Sequence, residues 1–182
     1  MRGWLLAVWL CLPGLAWAQS WLSDPAQGQL AFEARWEGSP VPGEFGRFEV
    51  HLQADPGTGA PTSLEVRVEV PSLATELPDV DAALAEPEWF DVARYPEARY
   101  RADNIQPVGP GRYRADGELS IKGVNRPQPL DFAWEAGPGG ARLSGELVLD
   151  RSAFGVGSGE WAAPEPIALE VRVRFDLGLE PE

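Results

Sequence analysis

Residues 167–177 read Ile-Ala-Leu-Glu-Val-Arg-Val-Arg-Phe-Asp-Leu, and this stretch decides the fold class. From position 169 onward, apolar residues occupy the odd positions and charged residues occupy the even ones. Successive side chains of a β-strand point to opposite faces of the sheet. The pattern therefore predicts a strand with one buried face and one face in water.

Seven further stretches alternate in the same way, and the region after the N-terminal segment has almost no helical periodicity. They lie at about residues 29–36, 47–54, 64–70, 98–105, 113–122, 130–135 and 143–149. Short connections rich in Gly or Pro, such as residues 55–59 and 137–140, favour hairpins between neighbouring strands. The chain is thus predicted to be all-β and antiparallel.

Eight strands that each carry an apolar face need an arrangement that shields every one of those faces. A closed antiparallel barrel does so, and it also leaves no sheet edge exposed. A sandwich of two sheets is the main alternative, because alternation alone does not distinguish closure from stacking. We predict an eight-stranded antiparallel barrel.

The connection between the third and fourth predicted strands, residues 71–97, is too long for a hairpin. Within it, residues 79–86 are predicted to form a short helix, with Asp79 as the capping residue and Pro87 as the stop. Trp89 and Phe90 follow directly, and we expect them to pack on the mouth of the barrel or in its core. A long structured connection of this kind is typical of a lid, a portal or a plug.

The N-terminus has the pattern of a secretory signal peptide. A basic Arg2 precedes a short apolar run at residues 5–12, and small residues occupy positions 16 and 18. The run is too short for a membrane-spanning helix, which needs about 20 apolar residues. We expect cleavage after Ala18, which removes residues 1–18 and leaves residues 19–182 as one barrel domain.

Composition excludes several functional classes. Without Arg2, 14 basic residues stand against 28 acidic ones, which argues against nucleic acid and against electrostatic docking on anionic lipid. The only cysteine, Cys11, lies in the predicted signal peptide, so the exported chain has no disulfide and no thiolate metal site.

Catalytic and metal-binding chemistry is poorly supported. The only histidine, His51, is predicted to lie on the charged outer face, where neither a zinc site nor a catalytic triad can be built. Asp91 and Asp150 lie close in sequence to Arg94 and Arg151, which favours structural ion pairs. We expect no metal, no cofactor and no enzymatic activity.

The predicted inner faces are almost wholly apolar and contain several small residues. These residues are Ala34, Ala54, Ala102, Ala115, Gly117 and Gly145. A barrel of about eight strands is either filled by its own side chains or holds one small ligand. Small residues on some strands, opposite aromatic residues on others, favour an elongated apolar void, and a solid core is the alternative.

Six motifs in order give the chain a family resemblance. They are Trp-Leu-Ser-Asp-Pro at 21–25, Gly-Glu-Phe-Gly-Arg-Phe at 43–48, Ser-Leu-Ala-Thr at 72–75, Trp-Phe-Asp-Val-Ala-Arg-Tyr-Pro-Glu-Ala at 89–98, Gly-Glu-Leu-Ser-Ile-Lys-Gly-Val-Asn-Arg-Pro at 117–127 and Asp-Arg-Ser-Ala-Phe-Gly-Val-Gly at 150–157. Together they resemble the YceI family of bacterial periplasmic proteins. The chain departs from the family pattern at Lys122, where many members have histidine.

The resemblance implies a lipocalin-like barrel and a non-enzymatic, periplasmic role. It implies that the interior binds a long isoprenoid chain, such as an isoprenoid quinone or a polyprenyl phosphate. It also implies an association with membrane b-type cytochromes in some members, and dimers in many. The alternative function is that of an accessory protein with a solid core, which docks on such a cytochrome or on another envelope partner.

Aromatic residues are the predicted ligand contacts. Those expected in the barrel lumen are Phe32, Trp36, Phe48, Phe132, Trp134 and Phe175. Those expected at the mouth are Phe45, Trp89, Phe90 and Phe154. Tyr100 and Tyr113 are the candidates for contact with a polar head group.

Overall fold

The computed structural model describes residues 18–182, so the predicted signal peptide, apart from Ala18, lies outside the described residues. The described part contains eleven strands and one α-helix. In chain order they are β1 (Gln19–Trp36), β2 (Ser39–Phe45), β3 (Phe48–Ala54), β4 (Pro61–Glu69), β5 (Leu73–Thr75), α1 (Pro78–Leu84), β6 (Glu97–Ala102), β7 (Ile105–Gly109), β8 (Arg112–Ile121), β9 (Val124–Gly137), β10 (Gly140–Asp150) and β11 (Glu170–Pro181). Short 3₁₀ helices lie at Val70–Ser72, Arg151–Phe154 and Gly159–Ala162.

Eight of these strands form a closed antiparallel barrel. They are hydrogen-bonded in the order β11, β10, β9, β8, β6, β4, β3 and β1, and β1 pairs with β11 to complete the ring. In that last pairing, Leu30 lies opposite Phe175 and Phe32 lies opposite Val173. The predicted eight-stranded barrel is confirmed, and the sandwich alternative is wrong.

The other three strands are short continuations of the barrel wall that the alternation pattern did not predict. β2 follows β3 along the same side of β1, and β5 pairs with β2 in turn. The fourth predicted strand, residues 98–105, is in fact two strands, because the chain bends after Ala102 and β7 pairs separately with β8. Residues 167–169 were predicted as strand but precede β11.

The predicted helix is present, but its N-terminus is built differently. α1 begins at Pro78, a residue favoured in the first helical position because its missing N–H would have no partner there. Asp79 therefore lies in the first turn and does not cap the helix. Asp81 instead accepts hydrogen bonds from the backbone N–H and the hydroxyl of Thr75, at 2.8 and 2.6 Å, which ties α1 to β5. Within residues 18–182 no helix has the length and apolarity needed to cross a membrane.

One end of the barrel, which we call the plugged end, is filled by large aromatic rings. Trp21 and Trp134 meet edge to face with centroids 5.5 Å apart, and Phe132 is only 1% exposed. The indole N–H of Trp134 donates to the carbonyl oxygen of Gly59 at 3.1 Å, so its polar atom is satisfied. Both ends of the described chain meet here, because the N–H of Glu182 donates to the carbonyl oxygen of Ser20 at 3.0 Å.

Five of the six small inward residues do not open a void, which corrects the sequence-based expectation. Ala54, Ala102 and Ala115 are buried in the main core with the rings of the plugged end. Gly117 and Gly145 lie directly beneath the rings of Tyr100 and Phe175, so each glycine receives an aromatic side chain from a neighbouring strand. Ala34 is the exception and lines the cavity described below.

Gly145→Ala is expected to lower the free energy of unfolding by about 1–3 kcal/mol through overpacking. A Cβ at this position would lie 2.5 Å from Cζ of Phe175 and 2.9 Å from the carbonyl oxygen of Asp131. Urea unfolding should show a lower midpoint at an unchanged slope. Gly139→Ala is the matched control, because its Cβ would meet nothing within 4 Å. Equal losses in the two variants would contradict the packing described here.

Candidate ligand-binding site

The half of the barrel away from the plugged end contains a cavity of about 730 Å³. This volume lies within the range of roughly 300–1,000 Å³ that is typical of small-molecule sites. Its wall is formed mainly by aliphatic side chains. They include Leu30, Val41, Val50, Leu64, Val66, Val68, Val70, Leu143, Leu147, Leu149, Val171, Val173 and Leu177. The valines are short and β-branched, and we infer that they do not reach the barrel axis.

The open end of the cavity, which we call the mouth, lies between the β1–β2 turn, α1 and residues 159–167. Trp36 and Leu77 line it and are 43% and 51% exposed. The ring of Trp161 lies between those of Trp36 and Trp89, with centroid distances of 6.3 and 5.8 Å. The cavity is therefore an apolar pocket with one plugged end and one aromatic rim.

Nine of the twelve predicted site residues line this cavity. They are Phe32, Trp36, Phe45, Phe48, Trp89, Phe90, Tyr100, Phe154 and Phe175. The other three do not line it, because Phe132 and Trp134 fill the plugged end and Tyr113 stacks on Phe132 with centroids 5.8 Å apart. Contact between the nine lining residues and a ligand stays a prediction.

The two tyrosines do not fit the head-group role expected of them. Tyr113 is absent from the cavity wall, and the Tyr100 hydroxyl donates to the carbonyl oxygens of Gln128 and Ala115 at 3.1 and 3.3 Å. Burial raises the pKa of the Tyr100 hydroxyl, with a smaller contribution from the charge of Asp116. Tyr100 is therefore a neutral wall residue whose polar atom is already bonded.

Sequence reasoning missed the contribution of α1 and of the last loop. Val80, Ala83 and Leu84 all line the cavity, and their i, i+3, i+4 spacing is that of one helix face. That spacing was present in the sequence and could have identified them. Trp161 and Ile167 also line the cavity, but no alternating strand pattern includes Trp161.

Arg151 organises the loop that forms one side of the mouth. Its guanidinium donates to five backbone carbonyl oxygens, at distances from 2.8 to 3.2 Å. The acceptors are Val156, Gly157, Ala163, Ile167 and Ala168. The residue is 5% exposed, and desolvation by burial lowers its pKa from the usual range. The guanidinium carbon of Arg151 also lies over the ring of Trp89, 5.5 Å from the ring centroid.

The predicted ion pair between Asp150 and Arg151 is wrong. Asp150 instead accepts from the N–H and the hydroxyl of Ser152, at 2.9 and 2.6 Å, which caps the 3₁₀ helix Arg151–Phe154. The hydrogen bonds from Ser152 lower the pKa of Asp150. The predicted pair of Asp91 and Arg94 is present, with an N···O distance of 3.8 Å.

Lys122 joins three segments at the mouth. It lies in the β8–β9 turn with a φ of 51°, and its Nζ donates to the carbonyl oxygens of Pro87 and Gly155 at 2.7 and 2.9 Å. These bonds hold the segment before Trp89 and the loop after Phe154 against the same hairpin.

The mainly apolar wall of the cavity suits the burial of an apolar molecule. His51 lies on the outer face as predicted, with its Nε2 2.7 Å from a carboxylate oxygen of Glu49. Among the described residues, no group of three or more His, Cys, Asp or Glu side chains is placed to hold a metal ion.

An eight-stranded antiparallel barrel with an apolar interior and one open end defines a lipocalin-like binding fold. The family comparison agrees with this class. The family model described as "YceI-like domain" matches residues 21–179, and the chain belongs to that family.

Individual relatives are distant in sequence. A UPF0312 protein of Vibrio cholerae is 25% identical over 125 residues, which covers 67% of this chain and 66% of the relative. The chain thus spans just under two thirds of that relative's length. The crystal structure of Burkholderia cenocepacia BcnA superposes with a TM-score of 0.81 at 28% identity, covering 86% of this chain and 98% of BcnA.

A second solved structure shares the fold at lower identity. It is a domain from Saccharophagus degradans described as polyisoprenoid-binding and implicated in plant cell wall breakdown. The TM-score is 0.69 at 13% identity, covering 90% of this chain and 98% of that domain.

Arg151→Lys is expected to lower the free energy of unfolding by about 2 kcal/mol or more, because three ammonium donors cannot satisfy all the carbonyl groups that the guanidinium satisfies. Urea unfolding measures the loss. Arg94→Lys is the control, since Arg94 is 72% exposed and makes one long ion pair and one contact with the ring of Tyr95. It should change the free energy by no more than about 0.5 kcal/mol. A loss at Arg151 as small as the control would show that the loop does not depend on the guanidinium.

Proposed function

We propose that this protein is a periplasmic binding protein that sequesters or carries a long-chain isoprenoid lipid in the barrel cavity. The lipid is an isoprenoid quinone or a polyprenyl phosphate. The observation that carries the proposal is the apolar cavity of about 730 Å³, closed by aromatic rings at one end and open at the other.

The shape of the cavity supports a single long chain as the ligand. The plugged end is lined by apolar groups, so an amphiphile would enter tail first and leave its head group at the mouth. Burial of apolar surface contributes roughly 25 cal/mol per Å², so 400 Å² of buried chain would give about 10 kcal/mol before the cost of ordering. Affinity of that origin requires no charged contact inside the barrel.

Family membership and the S. degradans neighbour support the isoprenoid as the kind of chain. That neighbour is named as a polyisoprenoid-binding domain, and its barrel matches nearly the whole of this chain. An unsaturated, methyl-branched chain also fits a wall made largely of valine, leucine and phenylalanine.

Periplasmic location and cleavage after Ala18 are part of the proposal. They rest on the basic, apolar and small-residue pattern of residues 1–18. Absence of enzymatic activity is proposed as well, and the position of His51 on the outer face supports it.

Docking on a membrane b-type cytochrome or another envelope partner is the second candidate. The exposed Trp36 and Leu77 at the mouth favour a contact surface of some kind. The solid core that accompanied this alternative does not fit the cavity. Docking would therefore accompany ligand binding and would not replace it.

Protein purified from the cell envelope is expected to retain a prenyl lipid. Native mass spectrometry should detect a bound mass on a chain that begins at Gln19, and organic extraction should release an isoprenoid. Geranylgeraniol added to delipidated protein should raise the Tm, with a stabilisation of about 2.7 kcal/mol at a hundred times its Kd. A delipidated protein whose Tm responds neither to geranylgeraniol nor to geranylgeranyl phosphate would contradict the proposal.

Ala34→Phe is expected to weaken geranylgeraniol binding at least about tenfold, because the new ring would occupy cavity volume that the chain needs. Ala31→Phe is the matched control on the same strand, since Ala31 lies on the outer side of β1 beside Glu33 and Arg174. Titration by intrinsic tryptophan fluorescence gives both affinities. If the two variants bound equally well, the ligand would have to lie elsewhere.

A further inference from the structure

The cations and the acids around the cavity differ in whether they have partners. The cations of the wall are paired or hydrogen-bonded within the protein, whereas several acids at the mouth make no ion pair within residues 18–182. Three arginines contribute to the cavity wall, namely Arg35, Arg99 and Arg151. Each already has a carboxylate or carbonyl partner within the protein, and Arg35 and Arg99 are also more than half exposed to solvent. Arg35 donates to the carbonyl oxygen of Gly38 at 3.2 Å and lies 3.5 Å from Glu33, while Arg99 pairs with Glu97.

Arg151 is the one deeply buried cation of the wall, and it has no donor left for a ligand. A guanidinium has five N–H groups, and those of Arg151 face five backbone carbonyl oxygens. The Lys122 ammonium, at the edge of the mouth, is likewise directed at two carbonyl oxygens. Arg151 therefore cannot bind a phosphate or carboxylate without breaking existing bonds, and Lys122 has only one of its three N–H groups left for such a partner.

The acids at the mouth are, by contrast, exposed. Asp79 lines the cavity in the first turn of α1 and makes no ion pair among the described residues. Three exposed glutamates adjoin other residues of the rim in sequence. They are Glu37, Glu160 and Glu165. Glu37 is fixed there, because its N–H donates to the carbonyl oxygen of Pro166 at 2.8 Å.

We propose that this mouth selects lipids with an uncharged head group, such as a quinone or an alcohol, and rejects anionic amphiphiles such as polyprenyl phosphates and free fatty acids. The inference rests on the proposed function and narrows its ligand class. A phosphate monoester carries about −1.5 to −2 charges at pH 7. At the mouth it would meet carboxylates that make no ion pair in the described part of the chain, whereas the cations of the cavity wall are already paired or hydrogen-bonded within the protein, and it would lose part of its hydration.

Two ligands that differ only in the head group test the inference. Geranylgeraniol and geranylgeranyl phosphate have the same prenyl chain. The dissociation constant of the phosphate divided by that of the alcohol therefore measures the effect of the head-group charge. Titrated into delipidated protein at pH 7.5 below the critical micelle concentration of either, the alcohol should bind at least about tenfold more tightly. Added salt should bring this ratio closer to one, because screening weakens the repulsion between exposed charges.

Asp79→Lys locates the selectivity at the mouth. Reversing this charge should lower the ratio at least about threefold. Glu135→Lys is the control. It makes the same change of net charge at an exposed position of β9 that lies opposite Arg142 of β10, and it should leave the ratio of dissociation constants unchanged. Circular dichroism and Tm confirm that both variants fold.

The outcomes separate the two proposals. If the phosphate binds as tightly as the alcohol or more tightly, head-group selection is wrong while lipid binding stands. If both variants shift the ratio equally, overall charge and not the rim is responsible, and the inference is again wrong. If neither ligand binds the wild-type chain, the proposed function itself fails.

Discussion

Hydrogen bonding between β1 and β11 is the constraint on which the rest of the molecule depends. It joins the first and last strands of the sheet, so eight apolar faces share one interior instead of facing water. Leu30 and Phe175 lie opposite each other across this junction, and burying side chains of their size contributes about 1.5–3 kcal/mol each. With the ring closed, the remaining question is how completely the interior is filled.

The two halves of the barrel differ in how completely side chains fill the interior. In one half, Trp21, Phe132 and Trp134 fill the space between strands, and alanines from neighbouring strands make room for them. In the other half, valines and leucines cover the wall but leave its centre empty. This asymmetry gives the cavity a direction, and it concentrates polar and charged groups at the single mouth. The loop fixed by Arg151 and the turn fixed by Lys122 then define that mouth.

The alternation of residue types was enough to predict the eight strands of the barrel, because the period of two is a local property of each segment, but alternation alone did not distinguish a closed barrel from a sandwich. It was not enough to locate the void. Gly117 and Gly145 were expected to open space, but Tyr100 and Phe175 occupy it, and that depends on which strands become neighbours. β2 was missed because its apolar and polar positions are interrupted by prolines and glycine. Nine of the twelve predicted aromatic residues nonetheless line the cavity.

The meeting of Ser20 and Glu182 at the plugged end has a practical consequence. In a version of the chain limited to residues 19–182, a linker joining these positions would close the chain into a circle without crossing the mouth, and new ends could then be opened at an exposed turn such as residues 137–140. If the protein were coupled to a bead or sensor through either position, the mouth of the cavity would point away from the solid surface. The barrel could thus serve as an oriented capture surface for hydrophobic compounds in solution.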